Sequence, residues 1–177
     1  MKIAITGHRE IEKALEYKIN NNGEKYNVEA FDELYNLFSR KISEICKINE
    51  ISLQDLTLIS GMARGADEVL AIFAIRNKLP LILSIPGSIK WHKDRGLSKG
   101  FRAQAIYYTK ILTYSRLTIF EIQKNYNGGN FSLVNIARNQ HMIDIADGII
   151  SFSRYPSTGT NDGIARAKKA NKYLGNI

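Results

Sequence analysis

The sequence predicts an α/β protein with a Rossmann-like parallel sheet of about five or six strands and helices on both faces. Short apolar segments of strand length alternate along the chain with longer segments whose apolar residues recur every three or four positions. Three of the short segments also end in small, glycine-containing turns. Parallel sheets of this kind bind ligands beyond the carboxyl ends of their strands, so these turns are the first candidates for a functional site.

The strand predictions rest on short, mainly apolar segments, as expected for strands that are covered on both faces. These segments are residues 2–6, 56–60, 79–85, 117–122 and 148–152. Residues 173–177, at the end of the sequence, are too few to assign to an element.

The helix predictions rest on apolar residues that lie three, four or seven positions apart. The clearest stripe begins near Glu29 and runs from Phe31 to Ile45. Other helices are predicted near Glu10 and at residues 66–74, 101–114, 133–146 and 164–172. The polar residues 20–27, 88–99 and 125–130 are predicted to be breaks or loops.

The length of 177 residues favours one domain that spans residues 1–177. A single cysteine, Cys46, excludes an internal disulfide, and the three histidines have no zinc-binding spacing, so we expect neither a metal nor another cofactor. The sequence enters a strand pattern without a leader, and no apolar run approaches the roughly 18 residues of a membrane span. We therefore expect a soluble cytoplasmic protein without a membrane partner.

The formal net charge of +8 raises the question of a nucleic-acid partner, because positive charge attracts polyanions. Lysine and arginine are nevertheless spread along the chain. Their densest cluster, residues 166–172, falls at the end of a predicted helix, where cations interact favourably with the helix dipole. A solvated surface is therefore the favoured interpretation, attraction of a phosphate-bearing small ligand comes next, and nucleic acid is possible but not favoured.

The segment I-S-G-M-A-R-G-A-D contains a strand end, a tight turn and a helix start within about ten residues. Gly61 and Gly65 allow a sharp turn whose N–H groups approach a ligand closely. The first turn of a helix leaves donors unpaired and carries partial positive charge, so a phosphate fits such a place. The candidate ligand-binding residues here also include Ser60, Met62 and Asp67, although an acid such as Asp67 is also favourable simply because it lies in the first turn of a helix.

Two further turns have the same character. The first strand ends in T-G-H-R, which supplies Gly7, His8 and Arg9. After the fifth strand comes P-S-T-G-T-N-D-G, whose candidate residues are Thr158, Gly159, Thr160 and Asn161. A lone glycine turn often only reverses the chain, but several at strand ends of one α/β domain favour a shared ligand site.

Other candidates each have a simpler alternative. Arg138, followed by Asn139, could fork onto a phosphate or hold a ribose, or it could project into solvent from a helix start. Trp91 could stack on a base or cover an edge of the core. His8 could donate to a phosphate, act as an acid or make a structural hydrogen bond at the strand end. His92 is interpreted as a surface or supporting group.

The motifs T-G-H-R, S-G-M-A-R-G-A-D, A-R-N-Q-H-M-I-D-I-A-D and S-T-G-T-N, in this order, resemble the SLOG superfamily. That group unites the DNA-processing protein Smf/DprA, the "lonely guy" phosphoribohydrolases and the YpsA-like proteins, and the YpsA-like branch is the most similar. The resemblance implies a Rossmann-like sheet whose glycine turns bind a nucleotide or a nucleotide-derived ligand, and a homo-oligomer. The binding residues that it implies are Gly7, Arg9, Ser60, Gly61, Gly65, Asp67, Arg138, Asn139, Gly159, Thr160 and Asn161.

One departure from the family pattern bears on catalysis. The phosphoribohydrolases resemble one another in a P-G-G-x-G-T-x-x-E turn, whose Glu, with an Arg on the preceding helix, is associated with cleavage of the N-glycosidic bond. Aligning Thr160 with that Thr places Gly163 at the Glu position. Glycine has no carboxylate, and Asp162 lies about 100° away on a regular helix.

The leading hypothesis is therefore a sensor or sequestering protein for a nucleotide-like ligand. The alternative is a nucleoside 5'-monophosphate N-glycosidase in which Arg138 and a displaced acid, Asp162 or Asp67, act as catalytic residues. A DprA-like single-stranded DNA-binding protein is the third hypothesis. Whether the protein is an enzyme stays open at this point.

Overall fold

Six parallel strands form one sheet in the computed structural model, which describes residues 1–19, 25–98, 106–123, 125 and 131–177. In chain order the strands are β1 (Lys2–Gly7), β2 (Thr57–Ser60), β3 (Leu81–Pro86), β4 (Leu117–Ile122), β5 (Gly148–Phe152) and β6 (Tyr173–Asn176). Their order across the sheet is β4-β3-β2-β1-β5-β6, and every adjacent pair is parallel. The predicted α/β class with a parallel sheet is confirmed.

The strand order reverses at β1, which lies between β2 and β5. Ala4 of β1 is in register with Ile59 of β2 on one side and with Ile149 of β5 on the other. Because the strands are parallel, the carboxyl ends of β1, β2 and β5 meet at one edge of the sheet. The connections that leave β1 and β5 cross to opposite faces there, and a crevice opens between them.

Helices cover both faces of the sheet, as predicted. Helices α2 and α3 pack on one face, and α6 and α7 pack on the other. The helices are α1 (Ile11–Ala14), α2 (Val28–Ile48), α3 (Ala66–Arg76), α4 (Ile89–Ser98), α5 (Tyr108–Leu112), α6 (Phe131–Ile145) and α7 (Thr158–Lys169). Within the described ranges, no helix combines the length and the apolar character that are needed to span a membrane.

The alternation of side chains along β1 divides the core into two layers. Ile3 and Ile5 belong to the larger cluster, with the stripe of α2 that includes Leu34 and Phe38. Ala4 belongs to the smaller cluster on the α6–α7 side. Full burial of one such large apolar side chain stabilises the fold by about 1.5–3 kcal/mol. The two core layers therefore keep the strands and helices that border the crevice in position.

Residues 88–99 were predicted to be a loop, and this prediction is wrong because residues 89–98 form α4. Two side chains satisfy N–H groups at its start. Ile89 N donates to Glu121 Oε1 at 2.7 Å, and Trp91 N donates to Ser88 Oγ at 3.1 Å. Glu121 belongs to β4, so the long-range cap that supports this polar helix is not visible in the local sequence.

Two boundaries near the end of the chain also differ from the prediction. Helix α7 begins at Thr158 rather than at residue 164, so the third predicted turn is largely the first turn of a helix. The unassigned tail forms β6, with Tyr173 in register with Ile149 of β5. Of the predicted helix at 101–114, only α5 and its flanks lie within the described residues, and the predicted loop at 125–130 lies almost wholly outside them.

Candidate functional site

The turn between β2 and α3 is closed by Ser60. Its buried hydroxyl donates to Asp67 O at 2.8 Å and accepts from Met62 N at 3.1 Å. Met62 has a left-handed backbone, with φ of 56°, and its side chain is buried in the core. Both residues were predicted to bind ligand, but their buried side chains support the conformation of the turn on its core side.

Gly65 holds this turn against the end of β1. Its φ is +89°, and a Cβ at this position would overlap with the His8 carbonyl oxygen. The next N–H, that of Ala66, donates to the same carbonyl at 3.0 Å. Glycine is therefore required both for the backbone conformation and for the close approach of the two turns.

Arg138 of α6 lies directly over Gly61. Its Nη1 donates to Gly61 O at 2.7 Å and to Asp67 Oδ2 at 3.2 Å, and a Cβ at residue 61 would overlap with that nitrogen. Ala63 N donates to the same Asp67 oxygen at 3.2 Å. The side chains of the pair are only 8% and 9% exposed, so Arg138 is fixed by a buried carboxylate and a backbone carbonyl.

The Arg138 guanidinium contains a buried donor, Nε, without a hydrogen-bond partner among the described residues. Burial raises the pKa of Asp67, whereas the Arg138 charge lowers it. A buried donor without a partner is costly in a folded protein.

His8 makes the structural hydrogen bonds that were one alternative in its sequence interpretation. Its Nε2 accepts from Arg154 N at 2.8 Å and from Tyr155 N at 3.2 Å. The ring also stacks on Tyr155, with centroids 3.9 Å apart. Burial lowers the pKa of His8, and the Arg154 and Lys13 charges lower it further. Because Nε2 accepts two N–H groups, the ring carries its proton on Nδ1.

The first turn of α7 presents backbone donors. The first intrahelical bond runs from Asn161 N to Ser157 O at 2.8 Å, so the N–H groups of the three preceding residues have no intrahelical acceptor. A Cβ on Gly159 would meet nothing within 4 Å, which means that this residue faces open space. The donors and the helix dipole together favour an anion at this point.

A cleft of about 460 Å³ opens at the point where the strand order reverses. Its walls are Gly7, His8, Arg9, Glu10, Tyr155, Ser157, Thr158 and Gly159. A smaller cavity of about 40 Å³ shares three of these residues and extends towards α6. Its walls are Ile5, Thr6, Gly7, Arg9, Ala63, Asp67, Arg138, Asn139 and Gly159.

Arg9 places a positive charge in the wall of the large cleft. Arg138 is balanced by Asp67, but within the described residues Arg9 makes no ion pair with a carboxylate. Partial burial lowers the pKa of Arg9, the neighbouring Arg138 charge lowers it further and Asp67 raises it. Arg9 is therefore an exposed cation close to both the smaller cavity and the start of α7.

The structure thus brings together eight of the predicted site residues as walls of the two cavities. They are Gly7, His8, Arg9, Asp67, Arg138, Asn139, Thr158 and Gly159. Thr160 lies just behind them, buried, with Oγ1 at 3.4 Å from Ser157 Oγ. Asn161 is exposed, and Trp91 lies on α4 against Gly87; neither is a wall of the two cavities described above.

Asp162 does not line either cavity. Arg166 Nε donates to both Asp162 oxygens at 2.9 Å, and Arg166 Nη1 donates to Gln140 Oε1 at 2.9 Å. Position 163 is also closed to a carboxylate, because a Cβ on Gly163 would overlap with Thr6 Oγ1. The expected family Glu therefore has no room in this packing of α7 on β1.

Several residues that sequence analysis did not assign to the site lie in or near it, among them Glu10, Tyr155, Ser157 and His92. Glu10 and Tyr155 are walls of the cleft, and the only sequence signal for Glu10 is that it directly follows T-G-H-R. Burial, with the Arg138 and Arg9 charges, lowers the pKa of His92 to about 4. His92 therefore lies close to both guanidinium groups, on a helix that the sequence did not reveal.

Among the described residues, no three His, Cys, Asp or Glu side chains are grouped so that they could hold a metal ion. The donors at the site are instead backbone N–H groups, guanidinium groups and an amide. Donors of this kind bind oxygen-rich anions and hydroxyl groups.

Comparison with known proteins supports the fold. No family model matches the chain, and no curated protein sequence matches it significantly. Among solved structures, the X-ray structure of DNA processing protein A (DprA) from Streptococcus pneumoniae is similar, with a TM-score of 0.57 and 14% sequence identity. The match covers 98% of this chain and 49% of that chain, so this chain spans about half the length of that protein. This likeness shows the Rossmann-like fold, and the SLOG superfamily and its YpsA-like branch stay predictions.

Proposed function

We propose that residues 1–177 form a single domain that binds a nucleotide or a nucleotide-derived ligand, as a sensor or sequestering protein of the YpsA-like kind. One observation carries the proposal: the free N–H groups at the start of α7 border a 460 Å³ cleft beside Arg9, a cation without a carboxylate partner among the described residues. Pockets for small ligands commonly have volumes of about 300–1,000 Å³, so the cleft has room for a nucleoside monophosphate.

In this proposal the phosphate lies at the start of α7. The N–H groups of Thr158 and Gly159 donate to its oxygens, and the Arg9 guanidinium balances its charge. The smaller cavity receives a second polar part of the ligand. Arg138 and Asn139 border it, and their guanidinium and amide groups can donate to a ribose oxygen or a second phosphate.

Thermal unfolding in the presence of AMP, ADP-ribose, NAD and cyclic nucleotides tests the proposal. A ligand at 100 times its dissociation constant adds about 2.7 kcal/mol to the free energy of unfolding, which raises the melting temperature by several degrees. Arg9→Met should weaken the effective ligand by roughly tenfold to a hundredfold, since a hydrogen bond to a charged group is lost. Arg40→Met, at an exposed position of α2, is the matched control and should change nothing. No shift with any of these ligands at millimolar concentration would contradict the proposal.

The N-glycosidase alternative lacks a free acid at the positions first considered for it. Asp162 is bonded to Arg166, Asp67 is bonded to Arg138, and Gly163 has no room for a longer side chain. Measurement of free base released from nucleoside monophosphates decides between binding and cleavage. Base release by the wild type would favour the enzyme, and its loss in an Arg138→Ala variant that thermal unfolding shows to be folded would assign Arg138 to the reaction.

The fold likeness to DNA processing protein A and the charge of +8 support single-stranded DNA as the remaining alternative partner. Binding of DNA through phosphates weakens steeply as the salt concentration rises. Fluorescence anisotropy of a labelled oligonucleotide at about 50 and 200 mM salt tests this alternative. Absence of binding at the lower salt concentration would exclude it.

We also propose that the protein forms a homo-oligomer in the cytoplasm. Three large apolar side chains are unusually exposed on β4 and α6: Phe120 at 41%, Leu133 at 59% and Ile136 at 37%. Their exposure supports a contact between copies, because such neighbouring apolar groups tend to be covered. Light scattering at micromolar concentration measures the state, and a monomer at all concentrations would contradict it.

A further inference from the structure

Glu10 contributes an uncommitted carboxylate to the large cleft. It lies in the short connection between β1 and α1, directly before the helix, and it is partly buried. Its side chain makes no hydrogen bond or ion pair with any other described residue. Burial raises the pKa of the Tyr155 hydroxyl and the Glu10 charge raises it further, so the carboxylate lies close to that ring in the cleft wall.

The other two candidate carboxylates are already bonded. Asp67 accepts from Arg138 and from Ala63 N in a buried cluster. Asp162 accepts both hydrogen bonds of the Arg166 fork and lies away from the cleft. Within the residues that line the 460 Å³ cleft, Glu10 is therefore the carboxylate that can receive a hydrogen bond from a ligand.

The cleft is chemically asymmetric. The start of α7 offers backbone N–H donors and positive potential, which attract a phosphate. An ionised Glu10 offers only acceptors and repels a phosphate, but it accepts well from hydroxyl groups. Carboxylates at the edges of parallel sheets bind ribose hydroxyls in other dinucleotide-binding folds for the same physical reason.

We propose that Glu10 accepts a hydrogen bond from a ribose hydroxyl of the bound nucleotide, so that the site selects ribonucleotides over deoxyribonucleotides. The inference rests on the nucleotide-binding function proposed above. Glu10 sets the orientation of the ligand, with its phosphate at α7 and its sugar towards the end of β1. The cleft then discriminates against ligands that place a second phosphate beside Glu10.

Isothermal titration calorimetry with four probes tests the inference: AMP, 2'-deoxy-AMP, 3'-deoxy-AMP and inorganic phosphate. The wild type should bind AMP roughly tenfold to a hundredfold more tightly than at least one of the deoxy analogues, the range expected for a hydrogen bond to a charged group. Glu10→Ala should lose most of this preference. Glu10→Gln keeps the shape and a neutral acceptor, so its preference should be intermediate.

The affinity for inorganic phosphate should not fall together with the affinity for AMP. Removal of the Glu10 charge should leave phosphate affinity unchanged or raise it, while AMP affinity falls, and a general loss of structure would lower both. Glu16→Gln is the matched control, because Glu16 is exposed on the same segment and does not line the cleft. Thermal unfolding of each variant verifies that it is folded.

The outcomes separate the two proposals. If the wild type binds none of the four probes, the nucleotide-binding proposal fails and this inference fails with it. If the wild type binds AMP but Glu10→Gln and Glu10→Ala keep the full preference over the deoxy analogues, only the role of Glu10 is overturned.

Discussion

Substitution of Arg138 by methionine should destabilise the fold by about 3–5 kcal/mol at pH 7, the usual cost of removing one partner from a buried ion pair. Methionine conserves much of the apolar stem but removes the bonds from Nη1 to Gly61 O and to Asp67 Oδ2. Asp67, with a side chain only 9% exposed, then keeps the Ala63 N–H bond and the nearby Arg9 charge but loses its ion-pair partner. A loss of this size is a large part of the 5–15 kcal/mol that stabilises an ordinary domain.

The loss should also depend on pH. Burial already raises the pKa of Asp67, and removal of the Arg138 charge, which lowers it, must raise it further. A raised carboxyl pKa means that the folded state binds a proton more tightly than the unfolded state, so stability falls as the pH rises from about 4 through the folded-state pKa. The cost of Arg138→Met should therefore be smaller at pH 4 than at pH 7.

Urea unfolding at both pH values measures these losses, with Arg166→Met as a matched control. The Arg166–Asp162 pair lies at the surface, with side chains 33% and 31% exposed, and its loss should cost about 0.3–1 kcal/mol. Adding Asp67→Asn to Arg138→Met should recover part of the stability, because the unpaired charge is removed. Equal costs for Arg138→Met and Arg166→Met would contradict the assignment of a buried pair.

Three further outcomes are expected. Gly163→Glu should lower the free energy of unfolding by about 1–3 kcal/mol or more, because a Cβ at residue 163 overlaps with Thr6 Oγ1. The variant should also release no base from AMP. A variant that is both stable and active would refute this packing of α7 on β1. Gly65→Ala should destabilise the protein by about 1–3 kcal/mol, because residue 65 has a φ of +89°. Gly159→Ala should keep the melting temperature of the wild type and bind nucleotide more weakly, because residue 159 faces open space. Equal melting temperatures for the two variants would contradict the predicted strain at Gly65. Burial and the nearby guanidinium groups lower the pKa of His92 to about 4, so the folded state binds fewer protons than the unfolded state and stability is lost as the pH falls from about 6.5 to about 4. His92→Gln should remove on the order of 3 kcal/mol of that pH dependence at most, and identical pH profiles for variant and wild type would exclude the shift.

The parts of the fold that follow from local patterns were predictable. Apolar strands and the stripe of α2 depend on residues close together in sequence, and both were located correctly. Helix α4 depends on Glu121 of β4, and a cap from so far along the chain leaves no local signal. The start of α7 contains two glycines, which disfavour a helix, so packing against β1 rather than propensity determines its first turns.

The site was predictable in outline because glycine turns at parallel strand ends must meet at one edge. Which atoms face the cleft was not predictable. The side chains of Ser60 and Met62 are inside the turn, a matter of backbone conformation that a motif does not specify. Asp162 and Arg166 are four residues apart, so their ion pair on one helix face could have been predicted from the sequence. The position of Glu10 in the cleft depends on the tertiary fold and could not.

The most direct test of nucleotide binding is an NMR titration of the ¹⁵N-labelled protein with AMP and, separately, with adenosine. If the phosphate lies at the start of α7, the amide resonances of Thr158, Gly159 and Thr160 should shift with AMP and saturate, because these N–H groups donate to it. Adenosine, which has no phosphate, should shift them little. Saturable AMP shifts that leave residues 158–160 unchanged, or equal shifts with adenosine, would contradict a phosphate site at this helix.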